Sequence, residues 1–225
     1  MSSLSSALVE PFRGVLLDMD GTLVDSIAAV ERSWLRWCAE FGVDPERLRS
    51  LHGVTAANVV AMVLPRERRA EGFDRIRHLE ENDVDGVTVL PGASELLRTL
   101  AEAGVPTAIV TSSTSDLAEV RLAATGLPRP SVVVTASDVR RGKPWPDPWL
   151  LGAERLGVDP ADCLVVEDAV AGLEAARDAG CRGLVAVRTT TAHADLARVA
   201  HLVVRDVAAL ELTASGGLAQ VGQQP

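Results

Sequence analysis

Short apolar runs that end in polar or small residues recur along the chain. Residues 14–17 run into Asp18, and similar runs cover 105–110, 132–135, 163–166, 183–187 and 202–204. Brief apolar stretches bounded by turn residues are the pattern of strands buried on both faces. Between them, apolar positions recur at helical spacing over 94–103, 116–124, 148–156 and 170–179, and Gly104, Gly126, Gly157 and Gly180 follow as stop signals. Strands alternating with helices across short loops predict a parallel sheet covered on both faces, a Rossmann-like α/β core.

Residues 27–88 break that rhythm, with three or four helical patterns and no convincing strand. The segment opens at Asp25-Ser26, a helix N-cap signal, and closes in the loop signal from Gly86 to Pro91-Gly92. The expected organisation is a core of 1–26 and 89–225 with an inserted all-helical cap, 27–88. After about Leu212 the chain turns to Ser215-Gly216-Gly217 and Gln223-Gln224-Pro225, where disorder is expected. There is no internal repeat.

Composition narrows the function classes. At 225 residues, 47% of them hydrophobic, the chain suits one real core with an inserted piece. A net charge of −9 argues against nucleic acid, whose phosphates are bound by basic surfaces, but not against a small anion. No apolar stretch is long enough for a bilayer and no basic-then-apolar leader is seen, so the expectation is a cytoplasmic protein with no membrane partner. Cys38, Cys163 and Cys181 are odd in number and scattered, which suggests neither a disulfide framework nor a zinc site. Of 22 basic residues only Lys143 is lysine. In a chain so biased towards Arg, a lone Lys asks for a reason.

The candidate chemistry gathers where strands end. Asp18-Met19-Asp20-Gly21 sets two carboxylates at i and i+2 as the first strand finishes, and Gly21 permits close backbone approach. Thr111-Ser112-Ser113 follows the strand ending at Val110, Glu167-Asp168 follows Val166, and Gly142-Lys143-Pro144 precedes the helix near Pro148. Ligands of open parallel sheets sit outside those strand ends. The set fits phosphoryl transfer. A carboxylate attacks phosphorus and splits one hard step into two, and carboxylate-bound Mg²⁺ and the Lys143 ammonium offset the meeting of two anions. Hydroxyls and backbone N–H groups at Thr111-Ser112 suit the phosphate oxygens, and Asp20 carries the proton.

Each piece also has a plainer reading. A D-x-D-G string occurs in calcium loops, but an EF-hand needs Gly at position 6 and Glu at position 12, here Leu23 and Ala29. Thr111-Ser112-Ser113 alone is commonly just an N-cap, and Glu167-Asp168 alone could be a solvated loop pair. Their order and shared placement carry the argument.

These motifs resemble those of the haloacid dehalogenase superfamily, in its phosphatase branch. Asp18 through Ser26 is similar to the first family motif and Val110-Thr111-Ser112 to the second. Gly142-Lys143-Pro144 with Pro146-Asp147-Pro148 is similar to the third, and Val166-Glu167-Asp168-Ala169 with Ala171-Gly172 to the fourth. The resemblance runs from about Phe12 to Leu210. It implies Asp18 as nucleophile, Asp20 as acid/base, and Thr111, Ser112 and Lys143 as phosphate ligands. It also implies Mg²⁺ on Asp18, the Asp20 carbonyl and Asp168, with Glu167 close by. Ser113 stands where Gly is usual and Trp149 where Tyr is usual.

Within that branch, Val30-Glu31-Arg32-Ser33-Trp34 and Leu51-His52-Gly53 are similar to bacterial sugar and polyol phosphatases and to glycerol-phosphate phosphatases, which makes Glu31, His52 and Gly53 candidate substrate contacts. Ile27, Val30, Trp34, Cys38 and Phe41 share one helical stripe, so Trp34 reads as cap core rather than as a substrate platform. Glu31 falls within that stripe and either pairs with an Arg or touches sugar hydroxyls; His52 could equally be a loop residue.

The resulting expectation is Mg²⁺-dependent hydrolysis of a small phosphate monoester, a sugar or polyol phosphate, through an aspartyl-phosphate, by a monomer or weak homodimer. The rival from the same superfamily is a phosphosugar mutase, whose relatives carry a His in the first cap helix where this chain has Val30. A receiver-like phosphoacceptor module is a further rival, but it is shorter and lacks both cap and D-x-D pair.

Overall fold

The computed structural model describes Leu8 and residues 10–48, 53–212 and 218–221, with backbone alone for Leu212 and 218–221. In chain order its first elements are β1 (Gly14–Leu17), β2 (Val24–Asp25), α1 (Ile27–Phe41), α2 (Ala56–Val63), α3 (Arg69–Glu81) and β3 (Thr88–Val89). Then come α4 (Ala93–Glu102), β4 (Thr107–Val110), α5 (Ser115–Thr125), β5 (Val132–Val134), α6 (Asp147–Leu156) and β6 (Cys163–Glu167). The last are α7 (Val170–Asp178), β7 (Gly183–Val187), α8 (His193–Leu196), β8 (Leu202–Val204), β9 (Leu210–Leu212) and β10 (Leu218–Val221).

Six strands form one sheet in the order β5-β4-β1-β6-β7-β8, every pairing parallel. The reason lies in the apolar runs. Side chains alternate across a strand, so a run apolar at every position must be covered twice. Val15, Leu17, Ile109, Leu164, Val166 and Val185 join one core layer under Leu96, Leu97 and Leu100 of α4 and Leu122 of α5. Leu16, Ala108, Val110, Val165, Leu184 and Ala186 join the other, under Trp149 of α6 and Leu173 and Ala176 of α7. Burying one such Leu stabilises the fold by about 1.5–3 kcal/mol, so both faces are needed to hold it.

The segment expected to be a helical insertion contains α1, α2 and α3, which gather round a core of their own. Trp37, not Trp34, is its centre. Trp37 is fully buried, stacks on Phe41 at 4.7 Å between ring centroids and donates from Nε1 to the Gly72 carbonyl at 2.8 Å. A Cβ at Gly72 would run into Leu64 and crowd Trp37, so glycine there is what lets α3 approach. Trp34 is half-buried, edge-on to Trp37. Where the chain leaves and re-enters the core, β2 and β3 pair antiparallel, Val24 with Val89 and Asp25 with Thr88. Thr88 therefore sits in that strand pair. A second difference concerns the tail: β10 pairs antiparallel with β9, so a strand stands where disorder was expected. Among the described residues no helix is long and apolar enough to cross a membrane.

β1 lies between β4 and β6, and the chain departs from it to both sides. The carboxyl ends of these three strands open a crevice at that reversal. Asp18, Thr111 and Glu167-Asp168 stand at its floor.

Candidate active site

The turn after β1 is built by its own backbone. Leu23 and Val24 both donate to the Met19 carbonyl at 2.9 Å, and the Gly21 N–H donates to Val24 O at 2.8 Å. Gly21 takes φ +86, and a Cβ there would overlap the Asp168 carboxylate. Only glycine lets the turn lie against that carboxylate.

Asp18 and Lys143 lie beneath this turn. The Lys143 ammonium donates to Asp18 Oδ1 at 2.6 Å, Glu167 Oε2 at 2.7 Å and the Val110 carbonyl at 3.0 Å. Glu167 Oε1 accepts from the backbone N–H of Asp168 and Ala169, both at 3.1 Å. Burial would lower the Lys143 ammonium, yet Asp18 and Glu167 outweigh it and hold it above its ordinary value. Trp149 occupies the remaining side, its ring centroid 4.4 Å from Nζ.

One ammonium does not balance this site. Carboxylate oxygens of Asp18, Glu167 and Asp168, all buried, lie within 4.8 Å of one another. Burial, and then Glu167 beside it, pushes the Asp18 carboxyl up to about 7 against the pull of Lys143. Burial, then Glu167 and Asp18, raise Asp168 well above the carboxylate range, while Thr190 Oγ1, donating to Asp168 Oδ2, works the other way. Asp18 Oδ2 is buried without a hydrogen-bond partner among the described residues. A converging set of hard oxygen donors, short of positive charge and with one atom unsatisfied, fits a small divalent cation.

Asp20 faces the other way. Its Oδ1 accepts from Ser26 Oγ at 2.8 Å and is ion-paired with Arg121 Nη1 at 2.9 Å. Its Oδ2 accepts from Ser113 Oγ at 2.9 Å and from Thr111 Oγ1 at 3.4 Å. The Asp20 carboxylate thus stands outside the Asp18–Glu167–Asp168 cluster, which leaves its backbone carbonyl as the atom to consider for a cation. Both carboxylates line a cavity of about 860 Å³ between the strand ends and α1 to α3.

Ser112 and Gly53, both candidate substrate contacts, meet directly: Ser112 Oγ donates to the Gly53 carbonyl at 2.8 Å. A hydroxyl has one proton, so in this arrangement Ser112 offers a bound anion no O–H. A Cβ at Gly53 would strike Ala169, and one at Gly142 would strike Thr55, so the loop before α2 lies against the core loops. Glu31 is exposed, lines the cavity and has no ion pair among the described residues, so the pairing with an Arg is not found. His52 lies outside the described residues. Val30 and Trp34 are half-buried cavity-lining residues, so Trp34 combines packing with a wall position.

Arg121 and Glu80 were not foreseen as site residues, and Ser26 and Ser113, which stand within the quoted motifs, had been given no role there. A signal existed for two of them. Arg121 shares the buried face of α5 with Leu117, Ala118 and Leu122, and Glu80 shares the buried face of α3 with Ile76 and Leu79. A charge in an apolar stripe requires a partner.

Comparison with known proteins agrees with this geometry. Residues 12–180 match the family described as haloacid dehalogenase-like hydrolase. Hexitol phosphatase A of Escherichia coli is 46% identical over 75% of this chain and 80% of its own length. Fructose-1-phosphate phosphatase YqaB of the same organism is 31% identical over 77% of this chain and 95% of its own. A solved Bacteroides vulgatus structure, described as a candidate β-phosphoglucomutase, has 27% identity and a TM-score of 0.74, covering 87% of this chain and 84% of that one. With the strand-end carboxylates, the buried lysine and a match across most of its length, this chain belongs to the haloacid dehalogenase-like hydrolase family.

Proposed function

We propose that this enzyme, a phosphoric monoester hydrolase, acts on a small phosphorylated sugar or polyol in two displacements at Asp18. The observation that carries the reading is the division of labour between two carboxylates. Asp18 sits in the cation-poor cluster with Oδ2 unsatisfied, and Asp20 is held apart by Arg121, Ser26 and Ser113, facing the cavity. The relatives named for hexitol phosphate and fructose 1-phosphate support the substrate class.

In the first displacement an Asp18 carboxylate oxygen bonds to phosphorus as the bond to the sugar oxygen breaks. Asp20 gives its proton to that leaving oxygen. In the second, Asp20 takes a proton from water as the water oxygen attacks the aspartyl-phosphate, which releases inorganic phosphate and restores Asp18. Lys143, already at Asp18, balances charge as the anions meet, and the Ser112 backbone N–H, with the Thr111 hydroxyl once it turns from Asp20 Oδ2, would meet the phosphate oxygens. Asp18, Asp168 and the Asp20 carbonyl would hold Mg²⁺ with Glu167 beside them, and Mg²⁺ there supplies the positive charge that one lysine cannot. Residues 27–88 serve as the cap, whose Val30, Glu31 and Trp34 wall the cavity above the chemistry.

The test is a panel of phosphorylated sugars and polyols assayed for phosphate release with Mg²⁺. Release from at least one hexose or hexitol phosphate is expected. Isomerised sugar without free phosphate would favour the mutase reading, for which the structural likeness to a candidate β-phosphoglucomutase is the supporting observation.

A further inference from the structure

We propose that Arg121 is the positioning residue for Asp20, fixing the proton-carrying carboxylate in the cavity while Glu80 braces the guanidinium from the cap side. The proposal rests on the reading of Asp20 as the proton carrier.

The side chain of Arg121 is 3% exposed, on a helix face otherwise made of Leu117, Ala118 and Leu122. An Arg buried among apolar groups needs a strong reason to be there. Its Nη1 lies 2.9 Å from Asp20 Oδ1 and donates to Ser113 Oγ at 3.1 Å. Ser113 in turn donates to Asp20 Oδ2 at 2.9 Å. One guanidinium nitrogen therefore reaches both oxygens of Asp20, directly and through a hydroxyl. With Ser26 on Oδ1, rotation of the Asp20 carboxylate would break several bonds at once. Serine at 113 contributes through its hydroxyl, which a glycine there would lack.

The other face of the guanidinium looks towards the cap. Arg121 Nη2 stands 3.6 Å from Glu80 Oε1, and Glu80 belongs to α3, 41 positions earlier in the chain. Nε and Nη2 have no hydrogen-bond partner among the described residues. The Asp20–Arg121–Glu80 row is thus tight at the core end and loose at the cap end. A shift of α3 alters the loose contact first, and Arg121 passes the change to the carboxylate that must meet the leaving oxygen.

A merely structural cation and a positioning cation differ in what they do to different leaving groups. An alkyl phosphate such as sorbitol 6-phosphate needs a proton on its leaving oxygen, whereas p-nitrophenolate leaves without one. For both esters kcat/KM reports steps up to the first bond cleavage. Arg121→Gln is expected to lower kcat/KM by about 100-fold on the alkyl ester and by less than about 5-fold on the aryl ester. Arg121→Lys should fall between, since one ammonium reaches Asp20 without forking to Ser113 and Glu80. Equal losses on both esters, or no loss on either, would overturn the proposal. Asp20→Asn in the same assay separates the two ideas: if it too spares neither ester, the proton-carrier reading fails and the positioning role falls with it. Should Arg121→Gln not fold, Arg121→Lys carries the same comparison of the two esters, and an unchanged ratio in it is the negative result.

Discussion

Lys143 sets its ammonium 2.6 Å from Asp18 Oδ1 with only 1% of its side chain exposed to solvent. All three of its N–H donors are engaged, on Asp18, Glu167 and the Val110 carbonyl. Replacing it with Met leaves two buried carboxylates without their cation, and breaking comparable buried pairs costs about 3–5 kcal/mol. Lys143→Met is expected to lose turnover by orders of magnitude and to melt earlier. Lys143→Arg should rescue poorly, because a planar fork does not fit between the Trp149 ring and two carboxylates. Steady-state rates and thermal denaturation of the three proteins check this. An Arg variant with wild-type turnover would make the solitary lysine an accident of composition.

The cluster around Asp18 predicts a metal requirement that can be read without turnover. Mg²⁺ bound only by the folded state should raise the melting temperature of the wild type, by about 2.7 kcal/mol of stability at a hundredfold excess over Kd. Asp168→Asn removes one of the three converging carboxylates and should blunt that rise. Chelator should stop phosphate release and Mg²⁺ restore it, while Asp18→Asn should keep the fold and abolish turnover. Full turnover in chelator contradicts the site.

Glu80 gives a pH dependence. Burial pushes it from 4.5 up to about 7; Arg121 pulls it down, and the nearby Asp20 and Glu81 add to the rise. A raised carboxyl is one whose protonated form the fold prefers. Its contribution is whole below the unfolded value of about 4.5 and is lost as pH climbs through about 7. Glu80→Gln mimics the protonated form at every pH. Relative to wild type the variant should gain stability between pH about 5 and about 8, by up to roughly 3 kcal/mol. Melting curves of both proteins across that range decide it, and a constant gap would refute it.

The parts of the fold that showed in the sequence are those governed by local period. Val15, Leu16 and Leu17 read as a strand covered twice because no position is polar, and they divide between two core layers. The β2–β3 pair did not show, since two residues are too few to display alternation. Trp34 and Trp37 lie three positions apart on one helix, and period alone does not rank them. Gly72, on another helix, opens the space that Trp37 fills. The clustering of the strand-end carboxylates with Lys143 was legible because each follows a strand end or precedes a helix. The partners of Asp20 were not, because Arg121, 101 positions away, reaches it only through tertiary packing. The Ser112–Gly53 bond is of the same kind, set by where the loop before α2 comes to rest.

Hydrolysis and mutation of a sugar phosphate begin with the same aspartyl-phosphate and part at the second step. A mutase must keep water from the phosphoenzyme until the sugar turns round, and a His in the first cap helix helps its relatives position the acid/base Asp. Here that place is held by Val30, a half-buried wall of the cavity whose side chain can neither donate nor accept a hydrogen bond. Asp20 is instead held from the core side, by Ser26, Ser113 and Arg121, an arrangement independent of the first cap helix's side chains. Its orientation therefore needs no histidine on the first cap helix. Free phosphate is the expected product from a sugar phosphate, with little isomerised sugar even when a bisphosphate primer is supplied. Phosphorus NMR follows both products in one sample. Isomer accumulating faster than inorganic phosphate would show that water is excluded, and the hydrolase reading would give way to the mutase.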